Sequence, residues 1–292
     1  MPTFVHPDEA LFSGEQSYPS LPVCEHFSGS EKLIRKALQL QEKLGGVFDI
    51  TCDCEDGAQT GNEIAHAEMI AELVSGVSNP GYRIGVRIHD VTHSSWRSDV
   101  NIIVGRAADY LAYVTIPKST NVASARECID AIQEVACAAG RSTPLPVHIL
   151  IETHAALRHV YEFAELPHVK VVDFGLMDFV SSHHGAIGAE VLRSPGQFNH
   201  HLLSRAKADV VAAALAAGVV PAHNVCLFQS IRDATIAVPA FMPVIDLANA
   251  RLHSRVLVAS LLCLDLVIEG ATRQFSNTQQ NGQSMTWPQF LH

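Results

Sequence analysis

Residues 147–178 read VHILIETHAALRHVYEFAELPHVKVVDFGLMD. A short apolar run at 147–151 is followed by a segment of helical period at 154–166 and a second apolar run at 170–175, and a carboxylate follows each run, Glu152 and Asp178. Strand, helix, strand in that order predicts parallel neighbours, because a parallel partner is reached only through a crossover of a dozen or more residues. The same beat extends outward in both directions. Apolar or β-branched runs at 21–24, 47–52, 83–88, 111–116 and 224–228 alternate with helical patterns at 31–44, 62–74, 122–139 and 197–217. Ser28-Gly29-Ser30 forms a capping region before the first of these helices; Gly45-Gly46 closes it, and Gly218 ends the last. An eighth strand within 256–268 completes the count for a closed (β/α)8 TIM barrel of about 250 residues. The alternative, an open doubly wound sheet, lacks a GxGxxG after its first strand. The expected organisation is an N-terminal extension at 1–20, the barrel at 21–270 and a polar, atypical C-terminal tail at 271–292 with Arg273 as its one charge.

The composition narrows the function classes. With 292 residues, 48% of them hydrophobic, the chain can bury roughly three-quarters of its unfolded surface and needs no disulfide or metal staple. Twenty Lys and Arg against 30 Asp and Glu give a net charge of −10 with no basic block, a balance that repels phosphate backbones and anionic membrane surfaces. No nucleic-acid or membrane partner is therefore expected. Seven cysteines, with no CxxC pair, argue against a disulfide framework or zinc ribbon. The first twenty residues carry neither a basic n-region nor an apolar h-region, so the expectation is a cytoplasmic protein without a secretory signal. The apolar stretch 256–268 is interrupted by Asp265 and is too short to span a bilayer, which takes about 20 residues.

Charged residues gather at one end of the strands. Asp53, Glu55 and Asp56 follow strand two, Arg87 and Asp90 strand three, Lys118 strand four, Glu152 strand five and Asp178 strand six. In a barrel those ends share a mouth, where such folds do their chemistry. Glu152 and Asp178 lie 26 positions apart, one strand-helix-strand step, which predicts carboxylates ending neighbouring strands about 5 Å apart. Two acids so close repel unless one keeps a proton or a cation sits between them. Without a converging Cys/His set the expected ion is hard and oxygen-liganded, Mg2+ ahead of Mn2+. Arg87 adds a planar fork suited to a carboxylate or 2-oxo acid. Each residue also has a bland reading. Glu152 could cap the helix after it, Arg87 could pair with Asp53 or Asp90, and Lys118 could bridge the acidic cluster rather than hold a phosphate. Asp53, Glu55 and Asp56 could orient the site from behind or simply form the turn at Gly57. His183 and His184 read as a solvated loop near the substrate, and Cys52 and Cys54 as buried small hydrophobes.

These segments resemble the citrate lyase β-subunit-like group of the HpcH/HpaI aldolase superfamily. VFDITCDCEDGA is similar to its Asp-Leu-Glu-Asp signature, and GVRIHD, VTIPKS, ILIETHAAL and VVDFGLMDFVSS follow in the family's order over residues 21–225. CEHFSGSEKLIRKAL and GVVPAHNV resemble the branch with citramalyl-CoA lyases. The resemblance implies a (β/α)8 barrel, in homotrimers or homohexamers, that uses Mg2+ to cleave 3-hydroxyacyl-CoA thioesters (citramalyl-, malyl- or citryl-CoA) to acetyl-CoA and a 2-oxo acid. It implies metal ligation by Glu152 and Asp178, and substrate binding by Arg87, the catalytic candidate, with Glu152. Asp53, Glu55 and Lys118 would support them. Two departures bear on activity. Glu63 and Ala67 stand where the family carries Lys and Arg, and no Ile-His-Pro follows Val225. The alternatives are a pyruvate-type class II aldolase acting on free hydroxy-keto acids, and an impaired homologue that binds metal and oxo acid without turnover.

Overall fold

The computed structural model describes residues 21–22, 24–77, 82–192, 196–223 and 255–258. Eight parallel strands close on themselves in sequence order: β1 (Cys24–Ser28), β2 (Phe48–Asp53), β3 (Ile84–Arg87), β4 (Tyr113–Ile116), β5 (Val147–Ile151), β6 (Val169–Phe174), β7 (Val220–His223) and β8 (Arg255–Val258). Cys24 pairs with Phe48 on one side and with Val256 on the other, which is the closure. The crossover helices are α1 (Glu31–Leu44), α2 (Glu63–Ser75), α3 (Trp96–Asp99), α4 (Gly105–Ala107), α5 (Val122–Ala138), α6 (His154–Arg158), α7 (Val160–Ala164), α8 (Leu176–Ser181), α9 (Gly196–Asn199) and α10 (His201–Ala217). A π-helical turn, Val100–Val104, joins α3 to α4. The expected TIM barrel is therefore the fold.

Strand alternation divides the core in two. Phe48, Ile50, Cys52, Ile84, Val86, Val114, Ile116, Ile149 and Ile151 pack outward against helix residues such as Ile34, Ile70, Ile129 and Phe163. The opposite positions fill the barrel, and most of them are polar. Near the N-terminal end the Arg83 Nε reaches both Asp49 oxygens at 3.1 Å. In the middle layer Thr51 donates to Glu25 at 2.5 Å and lies 2.8 Å from the Tyr113 hydroxyl, while the Tyr113 ring stacks on His148 at 3.8 Å. Gly85 makes room for that ring: a Cβ there would lie 2.1 Å from it. Leu150, Val171, Val220 and Ala222 form a small apolar patch on the other wall. At the C-terminal end lie Asp53, Arg87 and Glu152.

Several boundaries differ from expectation. The first strand is Cys24–Ser28, not 21–24, and the seventh is Val220–His223, upstream of 224–228, a range outside the described residues. The helix expected over 154–166 breaks at His159 into α6 and α7, and that over 197–217 breaks at His200 into α9 and α10. The α3–π–α4 segment has no counterpart in the helical patterns read from the sequence. Glycine ends the helices as expected, with Gly45 at φ 76° after α1 and Gly218 at φ 69° after α10. The segments 1–20 and 271–292 lie outside the described residues. Among those described, no helix is long and apolar enough to cross a membrane.

Candidate active site at the barrel mouth

All six site residues singled out in the sequence come to one mouth. Asp53, the last residue of β2, accepts from four donors: Arg87 Nε at 2.7 Å and the Glu55 amide at 3.0 Å on Oδ1, Arg87 Nη2 at 2.6 Å and the Gly57 amide at 2.8 Å on Oδ2. Of the two pairings weighed for Arg87, the partner is Asp53. The other terminal nitrogen of the guanidinium meets Glu55, with Nη1 3.0 Å from Oε2, and its Cζ lies 5.3 Å from the Phe27 ring centroid. Among the described residues three of its five N–H groups are thus engaged, leaving one on each terminal nitrogen without a described partner. Burial pushes the Asp53 carboxyl up, but the charge and bonds of Arg87 outweigh it and hold it below the usual range. Arg87 itself is held above its ordinary value, its acidic neighbours prevailing over burial.

Glu152 directly follows β5. It does not cap α6: Thr153 does, its side chain accepting from the Ala156 amide at 3.0 Å. Glu152 is buried and accepts the Lys118 amide on Oε2 at 2.8 Å. Gly175, just past β6, makes its position available, since a Cβ there would lie 2.3 Å from Glu152 Cγ and 2.6 Å from Oε1. Burial, reinforced by Glu55 and Asp178 and only partly opposed by Arg87, pushes Glu152 up to about 8. Asp178, expected to end a strand, sits instead in the first turn of α8. Its side chain is one-third exposed, and burial and Asp56 raise its carboxyl while Lys118 and Arg87 oppose them.

Lys118 joins these parts. Its ammonium contacts Glu55, lies 3.0 and 3.1 Å from the two Asp56 oxygens, and stands 3.6 Å from Asp178 Oδ2. Its φ of 48° is a left-handed conformation uncommon outside glycine, a form of strain that gathers at functional sites. The contact with the acidic cluster expected of it is present.

The donor set fits a hard divalent ion. Two carboxylates raised by burial and by neighbouring acids (Glu152 by Glu55 and Asp178, Asp178 by Asp56) gain from a nearby cation, and neither a thiol nor an imidazole is hydrogen-bonded to them among the described residues. A second cluster escaped the sequence reading. Glu25, His148 and Asp173, all fully buried in the middle layer, bring ligand atoms within 4.8 Å of one another. The sign of it was the polar residue at alternate positions of β1, β5 and β6. Also unforeseen is His89, just past β3, whose amide and Nδ1 lie 2.9 and 2.6 Å from Asp99 Oδ2 and whose ring stacks on His93 at 4.1 Å. His183 is not simply solvated: its Nε2 lies 2.8 Å from that of His154. Cys52 and Cys54 are buried as expected, and burial pushes Cys52 up to about 12.

Comparison with known proteins agrees with this fold. A solved structure of a citrate lyase from Burkholderia xenovorans LB400 is 41% identical to the chain, covering 93% of it and 86% of that protein, with a TM-score of 0.76. The CitE protein of Mycobacterium tuberculosis, solved in complex with magnesium, acetoacetate and coenzyme A, shares the fold at 16% identity and TM-score 0.64, covering 89% of this chain and 88% of its own. An L-malyl-CoA/beta-methylmalyl-CoA lyase of Cereibacter sphaeroides is 26% identical over 185 residues, and the match spans 59% of this chain and 57% of the relative's length. Residues 49–234, well over half of the chain, match the model of the HpcH/HpaI aldolase/citrate lyase enzymes, so that the chain belongs to this family.

Proposed function

We propose that the protein is a Mg2+-dependent carbon–carbon lyase that cleaves a 3-hydroxyacyl-CoA of the citramalyl-, malyl- or citryl-CoA kind into acetyl-CoA and a 2-oxo acid. Glu152 and Asp178 would hold the ion, with Mn2+ an acceptable substitute, and the ion would supply Lewis-acid polarisation of the substrate's oxygens. The observation that carries the reading is Glu152. It is a buried carboxyl pushed up to about 8 beside a second acid at the mouth of a barrel, an arrangement that costs stability unless it serves a site. Arg87, pinned by Asp53 and Glu55, presents its two remaining N–H groups to the acid end of the substrate and fixes its orientation. A homo-oligomer, a homotrimer or homohexamer as the family resemblance implies, is part of this reading.

The citrate lyase from Burkholderia, the malyl-CoA lyase from Cereibacter and the magnesium, oxaloacetate and coenzyme A complexes of the Mycobacterium protein all support this chemistry. The CoA half is the part for which a second reading has an observation behind it. Ala67 is buried in α2, and Glu63 at its start accepts the Gly61 amide at 2.7 Å, so neither offers a cation to a phosphate. That favours free hydroxy-keto acids, as in a pyruvate-type aldolase.

The test is turnover of malyl-, citramalyl- and citryl-CoA, and of the matching free acids, with Mg2+ and with EDTA. We expect acetyl-CoA release that needs Mg2+, and a fall of about 10²–10³ in kcat for Glu152→Gln, the usual loss for one transition-state contact. Cleavage of free acids alone would establish the aldolase reading; no turnover of any of them at saturating Mg2+ would remove both.

A further inference from the structure

We infer that Lys118 is the resident cation of the barrel mouth: its ammonium neutralises the acids before a divalent ion arrives and must withdraw from Asp178 when one binds. The inference rests on the reading of Glu152 and Asp178 as ligands of that ion. Its own support is geometric. The mouth holds five acids, Asp53, Glu55, Asp56, Glu152 and Asp178, with Arg87 and Lys118 as the cations ion-paired to them among the described residues. Arg87 is committed to Asp53 and Glu55, so the outer acids fall to Lys118. That residue touches both proposed ligands at once, Glu152 through its amide and Asp178 through its ammonium. The left-handed φ of 48° is the backbone conformation in which it does both.

The ammonium is 3.6 Å from Asp178, against 3.0 Å from Asp56. Asp178 is therefore the looser of the two contacts and the one to yield. A divalent ion approaches a carboxylate oxygen more closely than an ammonium does and carries twice its charge, so the two cannot share Asp178 without repulsion. Lys118 has somewhere to go, since Glu55 and Asp56 continue to hold it. A consequence for ion choice follows. A monovalent ion brings no more charge than the ammonium it would have to displace, and it lacks the tether; a divalent ion has the excess charge to make the exchange favourable. Lys118 would thus exclude Na+ and K+ from the site and set the threshold for Mg2+.

Isothermal titration calorimetry with Mg2+ on the full chain tests this, comparing wild type, Lys118→Met and Lys118→Arg. Removing the competing cation should tighten Mg2+ binding about tenfold and make it sensitive to competition by 0.1 M K+, whereas Lys118→Arg should bind as wild type does. Thermal melts provide the folding control: Lys118→Met should be less stable than wild type in EDTA and equal to it at saturating Mg2+. Unchanged or weaker Mg2+ binding by Lys118→Met, with wild type binding normally, would overturn the role of Lys118. Failure of wild type itself to bind Mg2+ would instead remove the ligand assignment and this inference with it.

Discussion

The Arg87–Asp53 pair shows how a single residue sets the site. Asp53 is 2% exposed and its two oxygens take the Nε–Nη2 edge of a mostly buried guanidinium, so the pair is fixed before any substrate arrives. Breaking a buried pair from one side leaves the other charge uncompensated, at a cost of about 3–5 kcal/mol. Glu55 still holds Arg87 in Asp53→Asn, and the lower end, about 3 kcal/mol, is expected from urea denaturation at pH 7. The pH dependence has a defined sign. The folded-state carboxyl of Asp53 is held below its ordinary value, so its stabilising effect is complete above about pH 4 and drains away as the pH falls through the folded value. The gap between wild type and Asp53→Asn should accordingly narrow below about pH 4; a gap that stays constant down to pH 3 would rule out the ion pair as its cause. The charges at the strand ends were legible in the sequence because position after a strand is enough to assign them to the mouth. That Arg87 would choose Asp53 over Asp90 was not, because the choice depends on register: Asp53 and Arg87 are direct partners across β2 and β3.

Among the elements, the helices of strong amphipathic period were legible and the first and seventh strands were misplaced, for a physical reason. An apolar run marks a parallel strand when both of its faces meet hydrocarbon. β1 instead places Glu25 and Phe27 inside the barrel and buries His26 and Ser28 on the other face, where they lie 2.9 Å apart. Leu21 and Pro22 were therefore the wrong guide. β6 was placed to within a residue although it carries a bulge, where Lys170, between residues paired with Val147 and His148, is turned out to solvent. The π-helical turn Val100–Val104 is illegible in a 3.6-residue pattern by its nature. Asp99, the residue just before it, is aimed at the amide and ring of His89. Asp99→Ala should strand those groups, at a cost of about 1–3 kcal/mol. An unchanged urea midpoint for that variant would show that the Asp99–His89 contact contributes nothing to the stability of the fold.

At the scale of the whole molecule, the proposed ligation of Mg2+ by Glu152 and Asp178 would couple stability to binding. Anything that binds the folded chain and not the unfolded one stabilises it, by about 2.7 kcal/mol at a hundred times its Kd. For a chain of this size that corresponds to a rise in Tm of roughly 5 °C. Differential scanning calorimetry should show that rise with Mg2+ and its reversal by EDTA, and Glu152→Gln should show neither. A wild-type Tm indifferent to Mg2+ would contradict the site. Closure of the barrel also bears on how the protein is made. Because β1 pairs with β8 as well as with β2, one edge of β1 stays unpaired until β8, about 230 positions later, has been translated. Throughout elongation the nascent polypeptide exposes that edge to any other β-strand within reach.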